Sequence, residues 1–118
     1  GVRILSPSII KNATTNHTGT LPNDIFDYAR EMRGWPEWPA YLGLSFFLRG
    51  EGMFPTPMGI STSPGTYSGQ GAGSALFWVD PERDLTFVCL TAGVLEDSDN
   101  ILRFQKLSDM VVAAVIED

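Results

Sequence analysis

The sequence predicts an α+β fold, with an antiparallel sheet flanked by helices. Three observations predict it. Two apolar runs, Ala75 to Val79 and Leu85 to Thr91, are joined through Asp80-Pro-Glu-Arg-Asp and read as an antiparallel hairpin. Near the end of the chain, Ile101, Phe104, Leu107 or Ser108, Val111 and Val115 recur at helical spacing and give a helix one apolar stripe. At the other end, Ser6-Pro7 marks a helix start: a serine oxygen accepts from free backbone amides, and proline suits the first helical position.

The elements follow in chain order. The first helix is short and gives way to the polar run Thr14 to Thr20. Leu21 to Met32 has weak helical character, with Asn23 or Asp24 as its cap and Ile25, Phe26, Tyr28 and Ala29 as a partial apolar face. Gly34-Trp-Pro-Glu-Trp-Pro disfavours regular structure, because each proline restricts the residue before it. Tyr41 to Arg49 is dense in aromatic and aliphatic residues and predicts a strand. Gly50 to Pro64 is punctuated by Gly and Pro and predicts a long loop over the surface, where sites are often bordered. Both hairpin strands are almost continuously apolar, so the sheet is expected to be covered on both faces. Ser98 or Asp99 is the expected cap of the last helix, whose stripe should pack on the hairpin.

Composition narrows the function classes. The chain has 118 residues, enough for one modest core, and its 43% hydrophobic content is that of a globular protein. The net charge is −6 and no run of Lys or Arg occurs, which argues against an electrostatic nucleic-acid footprint. No stretch approaches the roughly 20 apolar residues that span a bilayer. The first residues lack the charged and apolar regions of a signal peptide. The abrupt start reads as a piece of something longer.

The chemistry-bearing residues are few. The single cysteine, Cys89, lies in an apolar run and reads as a small buried hydrophobe. The single histidine, His17, lies in a polar loop, and no metal-ligand set surrounds it in sequence. Asn12-Ala-Thr and Asn16-His-Thr match the N-glycosylation acceptor pattern. Ser8-Ile-Ile-Lys11 matches Ser-x-x-Lys, in which a lysine amine one turn away can take a serine's proton, but a helix start explains it equally. Ser98-Asp-Asn100 matches a Ser-Asp-Asn element, and a helix cap needs the same residue types. Trp78 reads as core, whereas Trp35 and Trp38, each followed by proline, are pocket candidates. Glu96, Asp97 and Asp99 favour the following helix N-terminus.

The glycine-rich segment before the hairpin is the most informative. Glycines at a strand edge let another molecule approach the backbone closely. Gly65-Thr-Tyr-Ser-Gly-Gln-Gly-Ala-Gly-Ser-Ala-Leu-Phe-Trp-Val-Asp-Pro-Glu-Arg-Asp-Leu, followed by Thr86-Phe-Val-Cys-Leu-Thr91, resembles the C-terminal part of the serine β-lactamase and penicillin-binding-protein superfamily, closest to the class C-like esterases and transesterases. Arg3-Ile-Leu-Ser-Pro, Asn16-His-Thr-Gly19 and Tyr41-Leu-Gly-Leu-Ser-Phe extend the likeness over nearly the whole chain. The resemblance implies that residues 1–118 form a single segment, the C-terminal part of a β-lactamase-like domain whose N-terminal part lies outside this sequence. The nucleophilic serine and the Tyr-x-Asn element would come from that companion segment or chain. The third family element, Lys-Thr-Gly or its His and Trp variants, falls on Gly69-Gln70-Gly71, or in a shifted alignment on Tyr67-Ser68-Gly69.

The resemblance further implies a small-molecule ester or amide substrate, no metal and no cofactor. Tyr67, Ser68, Gly69, Gln70 and Gly71 would contact that substrate, and the backbone amide of Ala72 would share the oxyanion with the serine's own N–H. The missing cation at position 69 makes an ester a better expectation than a β-lactam or peptide. The alternative is a non-catalytic binding or interaction domain, including a pseudoenzyme of the same fold.

Overall fold

The computed structural model describes residues 1–116. Three helices and four strands follow in the order α1 (Pro7–Ala13), α2 (Asp27–Arg33), β1 (Phe47–Leu48), β2 (Tyr67–Gly71), β3 (Ala75–Asp80), β4 (Leu85–Leu90) and α3 (Asp97–Ala113). The strands form one sheet in the order β1-β2-β3-β4, every pair antiparallel. The expected α+β class and the apolar hairpin are both present.

Register decides which side chains face the core. Ser68 pairs with Trp78 and Trp78 with Phe87, while Gly69 pairs with Phe77 and Phe77 with Val88. Because side chains alternate along a strand, Ser68, Gln70, Leu76, Trp78, Asp80, Phe87 and Cys89 share the inner face. There Leu76 and Trp78 pack with Met58 and Phe104, and Phe87, Leu107 and half-buried Cys89 lean against them. A second cluster joins Phe26, Ala29 and Trp38 to Ile101, so α3 bridges both halves of the core.

The outer face differs from expectation. Tyr67, Gly69, Gly71, Phe77, Val88 and Leu90 point there, and Val88 and Leu90 are 59% and 81% exposed. The hairpin is fully covered on one face only. Continuous apolarity marked a second buried face, but among the described residues Phe46 meets it at Phe77 and Tyr67 while Val88 and Leu90 stay exposed.

Three local expectations also shift. The predicted strand Tyr41–Arg49 reduces to Phe47–Leu48, because Tyr41 and Ser45 take left-handed φ values of 47° and 65° and fold the segment back on itself. Gly43 sits in that fold so close to Ala13 that a Cβ would lie 2.2 Å from its carbonyl oxygen. The helix predicted over Leu21–Met32 starts only at Asp27. Asn23 spends its side-chain oxygen on the turn before it, accepting from Ile25 and Phe26 N–H at 3.0 and 3.4 Å. At α3 the cap is Glu96 rather than Ser98 or Asp99: its carboxylate accepts from the Asp99 N–H at 3.3 Å, and Val115 lies past the helix end.

Residues 50–64 lack regular structure, as expected, but they are not a surface loop. Thr56, Met58, Thr62 and Ser63 are buried. Arg49 holds the segment with its guanidinium, donating to the carbonyls of Gly50, Gly52, Gly59 and Ile60 at 3.0–3.2 Å. From α3, Gln105 and Asp109 accept the Thr56 and Ser61 N–H groups at 3.0 and 2.9 Å. Backbone polar groups of a buried loop need such partners.

Candidate functional site

The glycine strand β2 is open along half of its free edge. β1 pairs only with Tyr67 and Ser68, which among the described residues leaves Gly69, Gln70 and Gly71 without a strand neighbour on that side. The strand then turns through Ala72, Gly73 and Ser74, closed by the Ser74 N–H donating to the Gly71 carbonyl at 3.1 Å. Ala72 is exposed just past the ladder, and among the described residues its N–H has no acceptor.

The candidate residues divide between two faces. Gly69 and Gly71 belong to the outer face, where they border a cavity of about 260 Å³ with Ala75, Phe77, Val88 and Leu90. None of its lining residues is charged. A Cβ at Gly69 would lie 2.5 Å from Phe77 Cε1, so the Phe77 ring fills the space that a side chain at 69 would need. Phe46 packs edge-on against both Phe77 and Tyr67, with centroids 6.5 and 5.2 Å apart. Ser68 lies on the inner face and is 1% exposed, sealed by the core. Gln70, also on the inner face, borders a second cavity of about 240 Å³ with Gly71, Ala72, Asp97, Asn100 and Phe104. Gln70 and Gly71 therefore border both cavities, and Ala72 borders the second.

The other candidates do not converge on this place. Ser8 is exposed on α1, and its Oγ lies 3.0 Å from that of Ser6. Among the described residues no serine hydroxyl is hydrogen-bonded to a lysine or histidine. His17 meets the Asn12 carbonyl at 2.7 Å through Nε2. Trp38 is core, and the recess beside it, next to Phe54 and Gln70, holds about 20 Å³, room for about one water. Trp38 therefore lines no pocket of ligand size, and Trp35 packs partly buried against the same cluster, its ring 6.1 Å from that of Trp38. Trp78 is fully buried as expected, and its Nε1–H donates to Ser108 Oγ at 2.9 Å.

Two acidic groups are tuned by their surroundings. Burial alone would raise the Asp80 carboxyl, but hydrogen bonds from Ser63 and Arg83 outweigh it and hold the group below its ordinary range. Burial likewise opposes ionisation of Glu96. The Ser98 hydroxyl, the N–H groups of Ser98 and Asp99 and the charge of Arg33 prevail, and its pKa is lowered. Both groups hold turns and neither borders the two cavities.

Sequence reasoning missed a small polar network behind the glycine turn. Ser74 is buried with φ +66°, and its Oγ accepts from Asn100 Nδ2 at 3.2 Å and from the Leu95 N–H at 3.4 Å. The Thr91 hydroxyl donates to the Ser74 carbonyl. Arg103 Nη2 donates to Thr91 Oγ1 and Asn100 Oδ1 at 3.1 and 3.0 Å. The available signal was a serine closing a three-residue hairpin loop, where glycine is usual.

These features fit one class of architecture. A solved structure described as a β-lactamase (Mb2281c) from Mycobacterium bovis superposes with a TM-score of 0.72 and 28% sequence identity over 92% of this chain. The fold is β-lactamase-like. The chain spans 37% of that structure's chain. No protein-family model and no curated protein matches the sequence. Among the described residues, no helix is long and apolar enough to cross a membrane.

Proposed function

We propose that this chain is the C-terminal part of a β-lactamase-like serine hydrolase, acting on an ester or transferring an acyl group through an acyl-serine. Its contribution is one wall of the pocket, built on Gly69 and Gly71, and one oxyanion donor, the Ala72 N–H. The observation that carries the reading is that unpaired N–H, exposed where the glycine strand leaves its ladder beside an open edge. A fixed amide aimed at developing negative charge contributes about 3 kcal/mol to the transition state. The acylating serine belongs to a companion segment, which also covers the outer apolar face of β3 and β4. The neighbour's greater length supports a companion of that kind. The absence of a cation at position 69 favours an ester over a β-lactam or peptide substrate.

The test uses the complete protein with p-nitrophenyl esters, nitrocefin and a fluorophosphonate probe. Ester turnover with one labelled serine outside residues 1–118 is the expected result. Ala72→Pro removes the donor at a turn position that accepts proline. It should lower kcat about 10²–10³-fold with KM little changed. Full activity in that variant would sink the oxyanion role. Labelling of Ser8 would sink the companion segment. A pseudoenzyme with a binding role is the second reading, favoured by Phe77 filling the place of a functional side chain at Gly69. Absence of any labelled serine selects it.

A further inference from the structure

The turn that carries Ala72 is closed by a residue in a conformation its type disfavours. Ser74 has φ +66°, a region that non-glycine residues seldom occupy because Cβ crowds the neighbouring carbonyl. The loop Ala72-Gly73-Ser74 already holds a glycine, one position too early to relieve it. A serine kept at such a place needs compensation, and its hydroxyl receives two hydrogen bonds, from Asn100 Nδ2 and the Leu95 N–H. Its carbonyl accepts a third from Thr91. Arg103 then ties Thr91 and Asn100 to each other. The turn, the exit of β4 and the first turns of α3 are joined through a single residue.

The consequence falls on Ala72. Gly71, Ala72 and Gly73 are all exposed and small, and among the described residues no side chain hydrogen-bonds to them. Within the turn only Ser74 is anchored. Asn100 borders the same cavity as Ala72, so the anchor lies beside the donor it would steady. We propose that Ser74 and Asn100 are positioning residues: their hydroxyl–amide contact locks the Gly71–Ser74 turn and holds the Ala72 N–H in one direction. What the fixed donor is used for rests on the hydrolase reading. The lock itself does not.

Ser74→Gly separates positioning from stability, because it relieves the backbone while deleting the hydroxyl. In the complete protein its melting temperature should stay within about 4 °C of the parent. The hydrogen-bonded backbone amides within residues 70–75, the Ser74 N–H among them, should exchange with solvent about tenfold faster, by hydrogen-exchange mass spectrometry. Asn100→Ala should act alike, and the double variant should exchange no faster than either single one. Asn100→Asp can accept from the Ser74 hydroxyl and keep the Arg103 contact, so it should restore slow exchange. Unchanged exchange in Ser74→Gly and Asn100→Ala, or failure of Asn100→Asp to differ from Asn100→Ala, would overturn the lock. With an ester substrate, both disrupting variants should lower kcat about tenfold at constant KM, and Asn100→Asp should recover it. Fast exchange with unaltered kcat keeps the lock and refutes its positioning of a catalytic donor. Fast exchange in the two variants of a parent that never turns over ester keeps the lock and refutes the hydrolase.

Discussion

Asp80 illustrates how one side chain can close a hairpin and a loop together. It is fully buried, yet each oxygen has partners: Ser63 N–H and Arg83 Nη1 on Oδ2, Glu82 and Arg83 N–H on Oδ1. Its folded pKa is depressed, so the unfolded chain takes up the proton first as pH falls. The carboxylate's contribution is therefore complete above the ordinary value of about 3.9 and is lost as pH drops through the lower folded value. Urea unfolding from pH 6 downward should show a loss of stability beginning near pH 4. Asp80→Asn turns an amide against the Ser63 and Arg83 donors and should cost about 3 kcal/mol at pH 7. The acid-induced loss should shrink in that variant, and an unaltered pH profile would refute the assignment. The aspartate was legible in the sequence only as a turn residue. Its burial depends on Ser63, 17 positions earlier, which no local pattern reveals.

Among the elements, α3 carries the most tertiary information and was the best read. Ile101 and Phe104 fall on the core side as their spacing requires, and of the pair Leu107 or Ser108 it is the serine that is wholly buried. The physical reason is polar. Ser108 Oγ accepts from Trp78 Nε1 at 2.9 Å and donates to the Pro57 carbonyl at 2.8 Å, linking sheet, helix and loop. Ser108→Ala leaves both partners buried and unpaired, and should destabilise the fold by about 1–3 kcal/mol in thermal or urea melts. A change under 0.5 kcal/mol would mean that water substitutes for the hydroxyl. β2 and β1 were harder to read. Gly69-Gln70-Gly71 carries no strand propensity and is strand because β3 offers it a ladder, while Tyr41–Arg49 carries the propensity and loses it to two left-handed turns. The candidate site followed the same division. Its glycines were legible as a place of close backbone approach, whereas Ala72 entered only through the family resemblance. The face each residue occupies was fixed by register with β3, which placed Ser68 in the core.

At the scale of the whole molecule the sheet is asymmetric. The inner face is closed by α3 and by the loop clamped through Arg49, whereas β4 has a partner on one side only and exposes Val88 and Leu90. An apolar edge strand left open in this way is a template for pairing and association. Apolar residues on both faces are the signature of a sheet buried on both faces, and the alternation that marks a solvent-facing side is absent from β3 and β4. On the proposed reading the sheet has two covers, of which the described residues supply one. Leu90→Glu distinguishes the cases in the complete protein. On a solvated face the change should stay within about 0.5 kcal/mol. Beneath a companion layer it buries an unpaired carboxylate and should lower stability by about 3 kcal/mol or more, with the loss easing as pH falls toward 4 and the carboxylate protonates. Such a pH-dependent loss is the expected outcome. A neutral result would leave the outer face in water and remove the packing argument for a second segment.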